Sequence, residues 1–338
     1  MLNIIRRASS TRELIMNQTP FPEFFEQSPI ILGEGAVIER LRRNTDFELD
    51  PFIVNSAFIF DKEKRSALET IYRQYLDIGF QYDLPLLLST PTWRASLKRI
   101  AAAGYEEKDV NGDNFRFLDA LRNSYGEYAR KVVICGLLSC QGDAYNPKEA
   151  LEADVAHEFH TWQAMKLAEA GVDFLLAATL PAFSEATGLA SALAATGKPY
   201  IVSFVIRPEG TLLDGIPLKD AIAAIDAEVN PKPLAYLVNC THASIFRSAI
   251  LHEVNSSSFV RERIAGLLAN TAALNPEELD NSAGLMAEAP EIFGPSVAGL
   301  HGELGMKILG GCCGTDDRHI RYLAKHLTSD LLEPGPAK

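Results

Sequence analysis

Long hydrophobic runs are missing from this chain of 338 residues. None approaches the roughly 18 consecutive apolar residues that a membrane-spanning helix needs, so insertion into a bilayer is not expected. Excess positive charge is missing too: 32 Lys and Arg stand against 44 Asp and Glu, a formal net charge of −12. Sequence-independent binding to nucleic acid draws its affinity from positive charge facing phosphates. That class is set aside in favour of small-molecule or protein partners, and a homo-oligomer is compatible with the sequence. Cysteine is scarce and unevenly placed, with 5 in all. This excludes a disulfide framework and suggests a reducing, cytoplasmic compartment. Metal binding or catalysis is then the first use to test for the thiols. The opening stretch MLNIIRRASSTRELIMN carries Arg6, Arg7 and Arg12 with few acids. Organelle transit peptides share that composition with ordinary disordered tails, and residues 1–28 are read as an N-terminal extension.

From residue 29 onward short apolar runs alternate with longer helical patterns. Eight such runs are present: PIILGEG (29–35), PLLLST (85–90), KVVICGLLS (131–139), DFLLAAT (173–179), PYIVSFVI (199–206), AYLVNC (235–240), GLLANT (266–271) and MKILGG (306–311). Each is apolar almost throughout rather than alternating, as strands buried on both faces should be. Helical patterns cover 62–79, 94–108, 149–170, 182–196, 217–228 and 316–328. Eight strand and helix units close a barrel, so the expected fold is α/β, a (β/α)8 TIM barrel over residues 29–330 with a short tail at 331–338. An open doubly wound sheet uses the same pattern and is the alternative. In 149–170, Val155, Phe159, Trp162 and Met165 recur at spacings of three and four, which predicts a stripe against the barrel wall, and Gly171 is a candidate left-handed cap. The Ala, Asn, Pro and Gly-rich segment 272–300 is too long for a simple connection and is read as a functional loop or lid over the barrel mouth.

Barrel enzymes carry their chemistry at the C-terminal ends of the strands. Cys240 closes the sixth run in LVNC, and Cys312 with Cys313 follows the eighth in GGCCGT. Those two strands flank the seventh, so three thiolates can meet at one rim. Zinc favours sulfur in a tetrahedral shell, and three protein ligands leave a fourth position for substrate or water. A zinc site at the C-terminal face follows, with Gly310, Gly311 and Gly314 expected to supply the turn that aims both adjacent sulfurs. Free cysteine is also a common small core residue. A phosphate held by the glycines after strand eight is a further use of that corner of a barrel, though it gives the cysteines no role.

ILGEGAVIERL, VSF with LLDGIPLKDA, LVNC and GGCCGTDDRHI together resemble the homocysteine S-methyltransferase family over about residues 29–325. The resemblance implies a (β/α)8 barrel, zinc held by Cys240, Cys312 and Cys313 as catalytic centre, and methylation of the small-molecule thiol homocysteine to methionine. An onium compound such as S-methylmethionine, S-adenosylmethionine or betaine would be the methyl donor. No G-x-G-x-x-G fingerprint follows a strand, so a nucleotide-type adenosylmethionine site is not indicated.

The sequence departs from the family at the substrate's ammonium group. Glu34 stands for a first-strand Asp, while Ala178 occupies the place of a fourth-strand acid. Glu185 matches a later acid and is expected to cap or orient. Further substrate-binding candidates are Trp93, whose ring could face a methylated cation, Asn239 beside the first metal ligand, and Asn270 at the end of strand seven. Arg94 stands where some relatives have tyrosine and is read as a contact for a substrate carboxylate or a solvated side chain. His157 and His160 are read as solvated helix positions. The departure at Ala178 keeps two alternatives open: a different thiol or selenol acceptor, and a non-catalytic metal or thiol-binding barrel.

Overall fold

The computed structural model describes residues 19–43, 46–274 and 288–332. Eight parallel strands close a barrel in chain order: β1 (Ile31–Gly33), β2 (Leu86–Ser89), β3 (Val132–Ser139), β4 (Phe174–Leu180), β5 (Tyr200–Phe204), β6 (Ala235–His242), β7 (Ile264–Asn270) and β8 (Ile308–Gly311). Closure runs through Ile31 opposite Ile308 and Leu32 opposite Leu309. This is the (β/α)8 barrel expected from the eight runs, and the open sheet is ruled out.

The strands are apolar on both sides because each side has its own core. Ile31, Leu87, Val133, Cys135, Phe174, Leu176, Ile201, Leu237 and Ile308 fill the barrel interior. Their neighbours Leu32, Leu86, Leu88, Val132, Ile134, Leu175 and Val202 face outward beneath the helices. Strand alternation puts successive side chains into these two compartments. The N-terminal mouth is stoppered by a short helix, α1 (Phe21–Gln27), whose Phe21 stacks on Phe174 at 3.8 Å between ring centroids.

Eleven further α-helices follow among the described residues: α2 (Ile38–Arg43), α3 (Lys62–Gln81), α4 (Leu97–Ala102), α5 (Val110–Asn123), α6 (Ala153–Ala170), α7 (Phe183–Ala194), α8 (Leu218–Glu228), α9 (Ala243–Leu251), α10 (Ser258–Arg263), α11 (Pro290–Leu304) and α12 (Asp317–Leu332). None is long and apolar enough to cross a membrane.

Three expectations are corrected here. The helix read over 94–108 is the short α4, and the longer element is α5 beyond it. The lid read over 272–300 does not extend through its second half, because Pro290–Leu304 is a helix packed on α12. Residues 275–287 lie outside the described residues. The apolar stripe on α6 is not the buried face either: Val155 is 49% exposed and Met165 38%. The helix buries Ala156, His160, Gln163, Ala164 and Leu167 instead. Small residues win there because α6 and α7 touch backbone to backbone; a Cβ on Gly188 would sit 2.1 Å from the Ala153 carbonyl oxygen. Gly171 does take the left-handed cap position, with φ +99.

Candidate active site

The site is assembled at the C-terminal ends of β4, β6, β7 and β8. β6 slips by one residue against β7 between Asn239 and Thr241, and Cys240 at that bulge has φ +52. A left-handed non-glycine residue costs about 1 kcal/mol or more and persists only where its surroundings enforce it. Two groups enforce it here. Asn270 on β7 donates from Nδ2 to the Cys240 carbonyl oxygen at 3.1 Å. On the other side Asn239 bridges to β4 and β5: its Oδ1 accepts from the Thr179 amide at 2.8 Å and the Ser203 hydroxyl at 2.7 Å.

The Cys312 and Cys313 loop is fastened as tightly. The Glu39 carboxylate on α2 accepts from the Gly314 amide. The Thr315 hydroxyl donates to the Cys312 carbonyl oxygen at 2.6 Å and accepts from the Ala36 amide at 3.0 Å. Gly314 makes the turn, with φ +84. Gly310 and Gly311 do not contribute to it. They are strand residues required by close approach, a Cβ on Gly310 falling 2.6 Å from the Cα of Gly33.

The three sulfurs of Cys240, Cys312 and Cys313 lie within 4.8 Å of one another, and Cys240 Sγ is 3.7 Å from Cys313 Sγ. Sulfurs on a tetrahedral zinc, with bonds of about 2.3 Å, stand about 3.8 Å apart. The donor set and spacing thus fit such an ion. Cys240 is buried, Cys312 half-buried and Cys313 exposed, so the cluster opens to the barrel mouth on the Cys313 side. Protons are shared unevenly within it. Hydrogen bonds from Cys312 and Cys313, with one from Tyr145, hold the Cys240 thiol well below its usual range. Cys312 and Cys313 are pushed up in return by their bonds to Cys240.

Tyr145, in the loop after β3, is the member that sequence reasoning missed. Its phenol is pushed up first by the negative charge of Cys240 and then by burial. Only the folded loop brings it to the sulfurs, and no spacing in DAYNP announces it.

Glu34 follows β1, and its carbonyl oxygen accepts from the Gly311 amide at 2.9 Å, one residue before the cysteine pair. Burial pushes its carboxyl up to about 8, opposed by hydrogen bonds from Ser89. Its Oε2 is buried and has no partner among the described residues. Asn270 Oδ1 is likewise buried and unpartnered among the described residues. Trp93 is half-buried, and one face of its ring is covered by the Arg94 guanidinium at 4.3 Å. Arg94 Nη1 also reaches the carbonyl oxygens of Cys140, Gln141 and Gly142, so it is a loop brace rather than a solvated side chain. His160 corrects the reading of a solvated position: it is 1% exposed, and its Nε2 is 3.0 Å from Glu185. Glu185 is fully buried and also accepts from the amides of Gln141 at 2.6 Å and Leu151 at 3.2 Å. It therefore orients the loop that carries Tyr145.

A closed (β/α)8 barrel with three convergent thiols at its C-terminal rim has the build of a barrel enzyme. The family model described as homocysteine S-methyltransferase matches residues 31–327, and the chain belongs to that family of methyltransferases. It is 23% identical over 323 residues to a homocysteine S-methyltransferase of Bacillus subtilis, covering 90% of this chain and 96% of that protein. It is 24% identical over 327 residues to betaine–homocysteine S-methyltransferase 1 of Rattus norvegicus, covering 91% and 75% respectively. The metallated homocysteine methyltransferase of Escherichia coli has the same fold, with TM-score 0.70 at 21% identity over 91% of this chain and 99% of that one.

Proposed function

We propose that this protein is a zinc-dependent S-methyltransferase that moves a methyl group from an onium donor to homocysteine, forming methionine. The observation that carries the proposal is the meeting of Cys240, Cys312 and Cys313 around one point open to the barrel mouth. These three residues would hold the ion. Zinc bound there supplies one thing, a substrate thiol held as its thiolate at neutral pH, where a free thiol of pKa about 8.5 is mostly protonated.

The chain's own groups do the rest. Asn239 and Asn270 fix the left-handed bend that aims Cys240. Glu34 offers a buried carboxylate oxygen with no partner among the described residues, and a substrate ammonium would complete it and favour its ionised form. This gives the amino group one acid where relatives are expected to have two, since Ala178 on β4 has none to give. The deprotonated homocysteine sulfur then attacks the donor's methyl carbon in line, from about 3–3.5 Å. The bond from methyl to onium atom breaks with its electron pair, and the donor leaves one positive charge poorer. The unit bearing this activity is the barrel of residues 29–330, and its free thiols suit a reducing, cytoplasmic setting.

Methyl transfer from S-methylmethionine or betaine to homocysteine by the zinc-loaded protein, with methionine as product, is the test. Ala178 supports one further reading, in which the acceptor is another thiol or a selenol without an ammonium to pair. Turnover of 2-mercaptoethanol or a selenol with none of homocysteine would favour it.

A further inference from the structure

Just before α11, the chain returns to the rim of the barrel and brings one carboxylate between the two segments that carry the sulfurs. The Thr271 amide donates to the Cys313 carbonyl oxygen at 3.1 Å, and the Glu288 amide donates to the Thr271 carbonyl oxygen at 3.0 Å. Nε2 of His319 donates to the Glu288 carbonyl oxygen at 2.9 Å. Glu288 is thus tied by its backbone to the loop of the exposed Cys313. Its side chain lies toward the other segment, with Oε2 3.6 Å from Nε2 of His242, which follows Cys240 on β6. His242 pairs in register with Asn270, and Leu268 on the same face of β7 packs against the barrel interior, so strand alternation turns His242 to the inner side of the rim. Resting on the methyl-transfer reading above, we propose that the Glu288 carboxylate receives the positively charged head of the methyl donor beside Cys313.

The carboxylate is only 20% exposed, and its one charged neighbour among the described residues is His242. At 3.6 Å that contact is longer than a hydrogen bond. Nδ1 of His242 accepts from the Ser244 amide at 3.2 Å, so the ring turns an N–H dipole toward Glu288. A dipole at that range leaves a carboxylate withdrawn from water largely uncompensated. A fully alkylated onium head answers it by charge alone, since it has no proton to donate and asks for no hydrogen-bond geometry. With a dication bound, the three thiolates add about one more negative charge to the same rim. Glu34 stands apart from this pair, at the end of β1, where it is reserved for the acceptor's ammonium.

The role follows from where the charge goes. The onium atom loses its positive charge as the methyl leaves, so its attraction to Glu288 is stronger before the transition state than in it. A contact of that kind serves capture of the donor and does not lower the barrier of the bound state. Glu288 therefore acts as a specificity residue, whose loss is read in KM for the donor and not in kcat.

Glu288→Gln tests this, because it removes the charge and keeps the backbone bonds to Thr271 and His319. With the zinc-loaded protein and S-methylmethionine or betaine, KM for the donor should rise about tenfold, kcat should stay within about twofold, and KM for homocysteine should not move. Calorimetric titration with tetramethylammonium, an inert cation without carboxylate or amine, should show the same loss of affinity, and Glu288→Asp should restore part of it. An unchanged donor KM, a fall in kcat accompanied by a shift in KM for homocysteine, or tetramethylammonium binding that is absent or indifferent to the substitution overturns the proposal. Glu288-dependent binding of tetramethylammonium without methyl transfer to homocysteine would support the cation site and sink the methyl-transfer reading. Transfer with a donor KM indifferent to Glu288 would do the reverse.

Discussion

Asn239 is bonded twice to Thr179, accepting from its amide at 2.8 Å and donating to its hydroxyl at 2.7 Å. Thr179 has φ +60, and Cys240, next to Asn239 in sequence, has φ +52. One side chain thus braces two left-handed strand ends, and the bend that presents the Cys240 sulfur depends on it. Asn239→Ala leaves the buried Thr179 amide without an acceptor, which costs about 1–3 kcal/mol. Urea unfolding should show that loss. Competition with a chromophoric chelator should show zinc affinity lower by about 10–100-fold. Unchanged affinity would mean that Cys240 is placed by something else.

Glu34 makes stability depend on pH. Its carboxyl has an ordinary value of 4.5 and is pushed up to about 8 in the folded protein by burial. Between those values the native state keeps a proton that the unfolded chain has released. Its contribution therefore declines as pH rises through that window and stays level above it. Glu34→Gln removes the decline and should be more stable than the parent near pH 8 by roughly 2–4 kcal/mol, with little difference near pH 4. Parallel pH profiles for the two proteins would refute the account of Glu34. The same variant should bind homocysteine more weakly.

Gly314 and Gly104 form a matched pair, with φ +84 and +74. A Cβ on Gly314 would lie 1.8 Å from the Thr271 hydroxyl oxygen, whereas one on Gly104 meets nothing within 4 Å. Gly104→Ala should lower stability by about 1–2 kcal/mol and leave zinc content alone. Gly314→Ala should displace the cysteine loop and lose zinc. Comparable zinc content in both variants, by elemental analysis, would contradict this placement.

Glu185→Ala removes the acceptor for two backbone amides and for His160. Each buried amide left bare costs about 1–3 kcal/mol, so unfolding free energy should fall by about 3 kcal/mol or more. A loss under about 1 kcal/mol would show that water replaces the carboxylate.

Much of the fold was legible because doubly buried strands leave continuous apolar runs, and all eight lie on or beside the segments that pair. Several helices were less legible. α11 contains Pro295 along with Gly294, Gly299 and Gly302, which blur its periodicity. The face of α6 was misread for a related reason. Apolar size predicts burial only where there is room for it, and the contact with α7 admits small residues and hydrogen-bonded polar ones such as His160 and Gln163. At the site, the cysteines announce themselves by position at strand ends. Tyr145 reaches the sulfurs only through the folding of the loop after β3, and nothing in its local sequence marks it.

The central claim is that three protein sulfurs hold one ion and leave a corner for the substrate's sulfur. X-ray absorption at the zinc edge of the loaded protein, before and after homocysteine is added, tests it most directly. The account predicts about three sulfur neighbours at about 2.3 Å rising to four. A shell that stays unchanged on addition, or that holds fewer than three sulfurs at the start, would contradict it.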